Sequence, residues 1–198
     1  EVTRRYTLHA PGDSTGDPYR IHHETTFRNL TDHPILSLPD SLNLGTSALG
    51  SPHDNALYLN VAAYDGKDKP VVTDTNEFKG GGLLNSLGIK ANPPKSVIEH
   101  PGPVVWGTVK NQFFASIFTP EQPGSGIVVR PVELPPLAGG TQANIGLTGD
   151  IKLALPALPA RGTASFSGEL YVGPKEYTRL AKFAHNEDKV MQYDRYFF

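Results

Sequence analysis

Apolar and polar residues alternate along much of the first two thirds of the chain, which is the period of a half-buried β-strand. In Tyr19-Arg20-Ile21-His22-His23-Glu24-Thr25-Thr26-Phe27 the odd positions form one apolar-leaning face. Leu57, Leu59, Val61 and Ala63 alternate in the same way, as do Tyr6 and Leu8. Turn formers close these runs at Pro11-Gly12-Asp13, Asp32-His33-Pro34 and Asp65-Gly66-Lys67-Asp68. Strands joined by short turns predict antiparallel sheets, because a parallel crossover needs a dozen or more residues.

Further strands are expected over 104–109, 113–118, 127–134, 144–155 and 163–172. Prolines 120, 123, 131, 135, 136, 156 and 159 fall mostly at the ends of these runs, as suits edges and loops rather than central strands. Between Val97 and Gly173 only nine of 77 residues are charged, against 19% for the whole chain. A sheet covered on both faces explains that scarcity, so the core is expected here. Residues 80–82 and 137–141 read as loops.

A helical spacing appears only in the last 25 residues. Pro174 stands where a first helical residue tolerates the missing N–H, and Tyr177, Leu180, Ala181 and Ala184 then share one face. This divides the chain into a β-rich part, 1–173, and a C-terminal helix, 174–198. The run Val190-Met191-Gln192-Tyr193-Asp194-Arg195-Tyr196-Phe197-Phe198 ends apolar and aromatic. We read it as a segment heading towards a hydrophobic environment such as a membrane surface. The competing reading is a helix docked on its own sheet.

Composition narrows the class. Eighteen basic and 20 acidic residues leave a net charge of −2, without the basic stripe of a nucleic-acid binder. The absence of cysteine excludes disulfides, thiolate metal sites and thiol catalysis. Twenty glycines and 18 prolines describe a turn-rich but folded protein.

Candidate chemistry is sparse. Seven histidines (9, 22, 23, 33, 53, 100 and 185) do not fall at metal-ligand spacings, and His22 and His23, adjacent on a strand, point to opposite faces. His22 and Glu24 share a face, but two ligands make no site. His23 or His100 with Glu99 or Glu169 is a formal acid–base pair, and nothing in the sequence selects one combination. Nucleophile-elbow and phosphate-loop motifs are absent, and Phe78-Lys79-Gly80-Gly81-Gly82-Leu83 matches a phosphate cradle by glycine content alone. Asn29-Leu30-Thr31 fits a glycosylation acceptor. Trp106, Phe113, Phe114 and Phe118 are either a ligand-stacking platform or core, and core is favoured in so uncharged a strand pair. No catalytic, cofactor-binding or metal residue is assigned, and the chain is read as a non-enzyme.

Two segments carry a resemblance. Val105-Trp106-Gly107-Thr108-Val109-Lys110-Asn111-Gln112-Phe113-Phe114-Ala115-Ser116-Ile117-Phe118-Thr119-Pro120 resembles a Trp-led strand pair of the YidC-type membrane protein insertases. Gly168-Glu169-Leu170-Tyr171-Val172-Gly173-Pro174-Lys175-Glu176-Tyr177, with Leu180, is similar to that family's passage from the last periplasmic strand into the helix before the membrane. Asp188-Lys189-Val190-Met191-Gln192-Tyr193 resembles the run into an amphipathic interfacial helix. The resemblance implies the large periplasmic domain of such an insertase, on the periplasmic side of the bacterial inner membrane. It also implies an antiparallel β-supersandwich of two stacked sheets with a short C-terminal helical segment. The implied partners are the transmembrane part of its own parent chain, nascent membrane proteins and Sec translocon accessory subunits, and no cofactor is implied. Two uses follow for such a module: docking a partner through a sheet face or edge, or holding apolar client segments in a shallow groove, looked for near residues 80–87 and the Trp106 strand. The alternative class is a carbohydrate-binding or mutarotase-like sandwich, recognisable by a concave face where His, Glu and Arg converge near aromatics. A secreted adhesion-type β domain is a third class.

Overall fold

A computed structural model describes residues 1–8, 16–80 and 93–193. Among them two antiparallel sheets stack on each other, with short helical turns near the C-terminal end. The larger sheet holds β1 (Val2–Leu8), β2 (Arg20–Arg28), β11 (Thr163–Pro174), β8 (Phe114–Pro120), β7 (Trp106–Lys110), β4 (Asn60–Tyr64) and β5 (Val71–Asp74), in that spatial order. The smaller one runs β3 (Ser41–Ser47), β10 (Asn144–Lys152), β9 (Gly124–Leu134) and β6 (Ile98–Val104). This is the antiparallel supersandwich anticipated above.

The sheets meet over an apolar layer. Val61, Val109 and Phe118 from the larger sheet pack against Leu44, Ile127, Val129, Leu147 and Ile151 from the smaller. Close approach is made possible by two glycines. A Cβ on Gly107 would stand 2.8 Å from Ile151 Cδ1, and one on Gly149 would stand 2.8 Å from Val61 Cγ1. Each sheet thus presents a gap where the other presents a bulky side chain.

The run 104–109, anticipated as one strand, is two. Val104 closes β6 in the smaller sheet, and Trp106 opens β7 in the larger, with Val105 donating its N–H to Tyr64 O at 2.7 Å across the bend. The chain changes sheet at that residue. β3, β5 and β6 were not anticipated, since their sequences (Ser41-Leu42-Asn43-Leu44-Gly45, a four-residue run, and Ile98-Glu99-His100-Pro101-Gly102-Pro103) are polar, short or proline-rich. β6 lies at a sheet edge, where proline is tolerated, and its register against β9 shifts between Pro101 and Val104.

The C-terminal segment is docked on the outer face of the larger sheet. Among the described residues its helical order is one α-turn, α1 (Tyr177–Leu180), a 3-10 turn over Glu187–Met191 and Tyr193, which is again helical, not a continuous helix from Pro174, which instead ends β11. Asn186, just before the 3-10 turn, and Gln192, just after it, both adopt left-handed backbone conformations, which interrupts helical continuity. Leu180 and Val190 pack on Trp106, Ile117 and Tyr171 in a second apolar cluster. Trp106 Nε1 donates to His185 O at 3.0 Å. The buried Glu187 carboxylate accepts from Thr119 Oγ1 at 3.1 Å and from His185 N at 2.9 Å. Lys189 Nζ reaches Tyr64 Oη at 2.9 Å and Asp68 O at 2.6 Å. Consequently β7 is buried at every position, between the smaller sheet and this cover, which is why the middle of the sequence carries so little charge. Through Tyr193 the docked reading of this end therefore holds; residues 194–198 lie outside the described residues.

Candidate binding groove

The larger sheet extends past the smaller one. The edge strand β3 makes its main contacts across the sandwich over β7 and β8, and the inner face of β11, β2 and β1 is only partly covered. Phe166 and Leu170 pack on the inter-sheet core and His23, Thr25 and Phe27 are buried, whereas Val2, Tyr6 and Leu8 are exposed. Alternation decides what this floor presents. The register sets Tyr6 opposite His23 and His23 opposite Gly168, so Val2, Arg4, Tyr6 and Leu8 share the inner face with Ile21, His23, Thr25 and Phe27. The odd-position face read from 19–27 is this floor.

Between floor and β3 runs a cleft of about 770 Å³, lined by Tyr6, Tyr19, His23, Phe114, Leu170 and Val172 and walled by residues 42–48. A second compartment of about 420 Å³, lined by Val2, Arg4, Thr25, Phe27 and Phe166, shares Leu42 with it. The two lie side by side along β3 and meet at Leu42, and together they make up the trough. Tyr6 and Phe114 are 56% and 58% exposed, large for aromatic side chains on the inner side of a sandwich.

Polar groups in the trough are few. The buried His23 ring stacks on Phe166 (centroids 5.6 Å apart) and meets Tyr6 and Phe118 edge-on at 5.0 and 6.0 Å. Its Nε2 shares a 2.7 Å hydrogen bond with Thr25 Oγ1. Burial, and then the charges of Arg4 and His22, hold its pKa below the ordinary 6.5, so the ring is neutral at pH 7. Arg4 makes no ion pair among the described residues. No acidic side chain is found among the described lining residues of either compartment. Ser47 Oγ, in a residue only 8% exposed, has no hydrogen-bond partner.

None of the acid–base pairs weighed from the sequence is assembled. Glu169 lies on the outer face, where Oε1 is 2.8 Å from His22 Nδ1 and Oε2 is 3.2 Å from Arg20 Nε, while His23 faces inward. Arg20 in turn lies 4.8 Å above the Phe183 ring, so this set braces the C-terminal cover. His100 Nε2 is held by Thr73 Oγ1 at 2.7 Å, and Glu99 pairs with Lys152 at 2.7 Å. The convergence of His, Glu and Arg expected of a sugar site is thus missing its carboxylate among the described lining residues.

The remaining candidates resolve as follows. Among the described residues no group of three or more His, Cys, Asp or Glu could hold a metal ion. His9 lies outside them. Asn29 is buried, with Nδ2 donating to His33 O and Pro159 O and Oδ1 accepting from Thr31 N and Oγ1, so the glycosylation motif is a folded turn with no free amide. Of the four aromatics, Trp106 and Phe118 are core, while Phe113 and Phe114 are exposed. Near the Trp106 strand the cleft is lined by Val109 and Lys110 at the end of β7, whereas the Trp106 side chain itself lies under the C-terminal cover; residues 81–87 lie outside the described residues. The trough lies on the opposite face of the sheet. Arg4, Leu42, Ser47 and Leu170 were not foreseen in it, whereas the alternations over 19–27 and at Tyr6 and Leu8 pointed to its apolar face.

Among the described residues no helix is long and apolar enough to cross a membrane. No protein-family model matches the chain, and no curated protein matches it either.

Proposed function

We propose that this chain is the periplasmic domain of a YidC-type membrane protein insertase, a non-enzymatic module that holds apolar client segments in the β3 trough while the membrane-embedded part of its parent inserts them. One observation carries the reading: an open trough, lined by exposed aromatic and aliphatic side chains, on a rigid two-sheet frame. Such a surface binds unfolded apolar chain weakly and reversibly, as a holding step requires. The two sequence motifs add to it. One forms the adjacent strands β7 and β8, and the other leads β11 into α1. On this reading the domain stands at the outer surface of the bacterial inner membrane, its partners are nascent membrane proteins and Sec accessory subunits, and it uses no cofactor.

The test is photocrosslinking in cells, with a photoreactive residue at position 6 or 114 of the parent protein and at Leu57, an exposed control away from the trough. Adducts to a newly made inner-membrane protein from positions 6 and 114, and not from 57, are expected. Equal yields from all three, or no client adduct at any position, would overturn the proposal.

A further inference from the structure

The trough has a wall of unusual construction. Its β3 side is lined by consecutive residues, Leu42 through Ala48. Side chains of successive strand residues point to opposite faces, so a wall to which every residue contributes is a backbone edge. Among the described residues β3 ends its sheet, with β10 on one side and no strand on the other. Its outward N–H and C=O groups on either side of Gly45 therefore face the trough. At Leu44–Gly45 the register against β10 shifts, Gly45 stands at φ +98°, its N–H goes to Asn43 Oδ1 and its C=O accepts from Thr148 Oγ1 of β10. A lipid chain cannot use a row of unpaired backbone groups, whereas an extended peptide can.

The other polar features grade along that edge. Near Ser41 and Leu42 stands the guanidinium of Arg4, which has neither an ion pair nor an acidic lining neighbour among the described residues. Near the opposite end the buried Ser47 hydroxyl lacks a partner. Aromatic and aliphatic side chains fill the floor between.

We infer that β3 takes up an extended peptide as an added strand. Its main chain pairs with the β3 edge, its alternate apolar side chains lie on Tyr6, Phe114 and Leu170, and a carboxylate near one end meets Arg4. The seven-residue strand, bent at Gly45, spans at most about seven residues of partner, with ladder pairing on the stretches either side of the bend. The inference rests on the trough being the docking surface, and it adds the partner's chemistry and geometry: extended, alternately apolar, with an acidic residue at the Arg4 end.

Labelled heptapeptides titrated by fluorescence anisotropy against the 198-residue chain test it. The parent peptide alternates Leu and Ser with one terminal Glu; variants carry Gln or Lys in place of Glu, and two others are N-methylated at odd or at even positions. An exposed ion pair predicts that the Glu peptide binds about two- to fivefold more tightly than the Gln peptide. Arg4→Gln removes that preference, and Arg4→Glu turns it towards the Lys peptide. Strand addition predicts that one methylated peptide loses binding and the other keeps it, because alternate amides point the same way. Equal binding by all the peptides, or displacement by a fatty acid together with indifference to methylation, overturns the added strand while leaving an apolar trough. Absence of binding by every peptide removes the docking surface itself, and the inference with it.

Discussion

His23 is a titratable side chain buried in the trough floor, and its surroundings fix the sign of its contribution to stability. Above pH 6.5 the ring is neutral in the folded and unfolded chain alike. Below that the unfolded chain takes up a proton that the folded chain resists, because charging the ring would place a cation among Tyr6, Phe118 and Phe166 beside Arg4. The stability contributed by the neutral ring is thus complete above 6.5 and falls with pH until the lower folded-state value is passed. Urea midpoints at pH 7.5 and 5.0 should fall more for the wild type than for His23→Phe, the excess corresponding to less than one proton taken up on unfolding. A His23→Phe variant with an unchanged pH slope would assign the acid sensitivity elsewhere. Trp106 supplies the contrasting case, a side chain with no exposed surface and a satisfied indole N–H. Trp106→Ala should cost about 3–5 kcal/mol by denaturant titration. A loss below about 1 kcal/mol would mean that the C-terminal cover does not hold the indole in solution.

At the scale of elements, the spacing between the sheets is set where β7 crosses β10. Gly107→Ala would press a methyl group into Ile151, which is itself fully buried, and should destabilise the fold by about 1–3 kcal/mol in the same titration. A neutral result would show that the sheets can part locally at little cost. The same elements show what a linear sequence can display. β2, β4 and β8 to β11 were legible because each buries one or both faces, and burial imposes either a period of two or an apolar run. β3 and β6 were not, because edge strands admit Ser, Asn, Gly and Pro without losing ladder bonds on the free side. The C-terminal helix was overextended because Tyr177, Leu180, Ala181 and Ala184 satisfy helical spacing while the chain turns away after Leu180 to follow the sheet. The trough escaped notice for a related reason. Tyr6 and Leu170 read as ordinary core-facing strand residues, and only the unequal number of strands in the two sheets leaves their face partly open. That inequality is a property of long-range pairing, which no local period encodes.

For the molecule as a whole, stability and the proposed binding reside on separable surfaces. The apolar layer between the sheets and the cluster under the C-terminal cover consist of buried side chains, whereas the trough offers Tyr6 and Phe114 with more than half their surface in water. Replacing exposed apolar groups changes stability little, since water already covers them in the folded state. Tyr6 does pack edge-on against His23, so a modest cost is expected on that side. The double variant Tyr6→Ser/Phe114→Ser should therefore unfold within about 1 kcal/mol of the wild type. A side chain that buries its remaining surface against a peptide contributes to affinity in proportion to the area it covers. Loss of both aromatics should weaken anisotropy-detected peptide binding by about tenfold, equivalent to about 1.4 kcal/mol. Unchanged binding in the double variant would move the docking surface off this face of the sheet. A loss of several kcal/mol in stability would show instead that the overhang is part of the packed core, because removing two solvated side chains cannot otherwise unsettle a frame whose two sheets meet elsewhere.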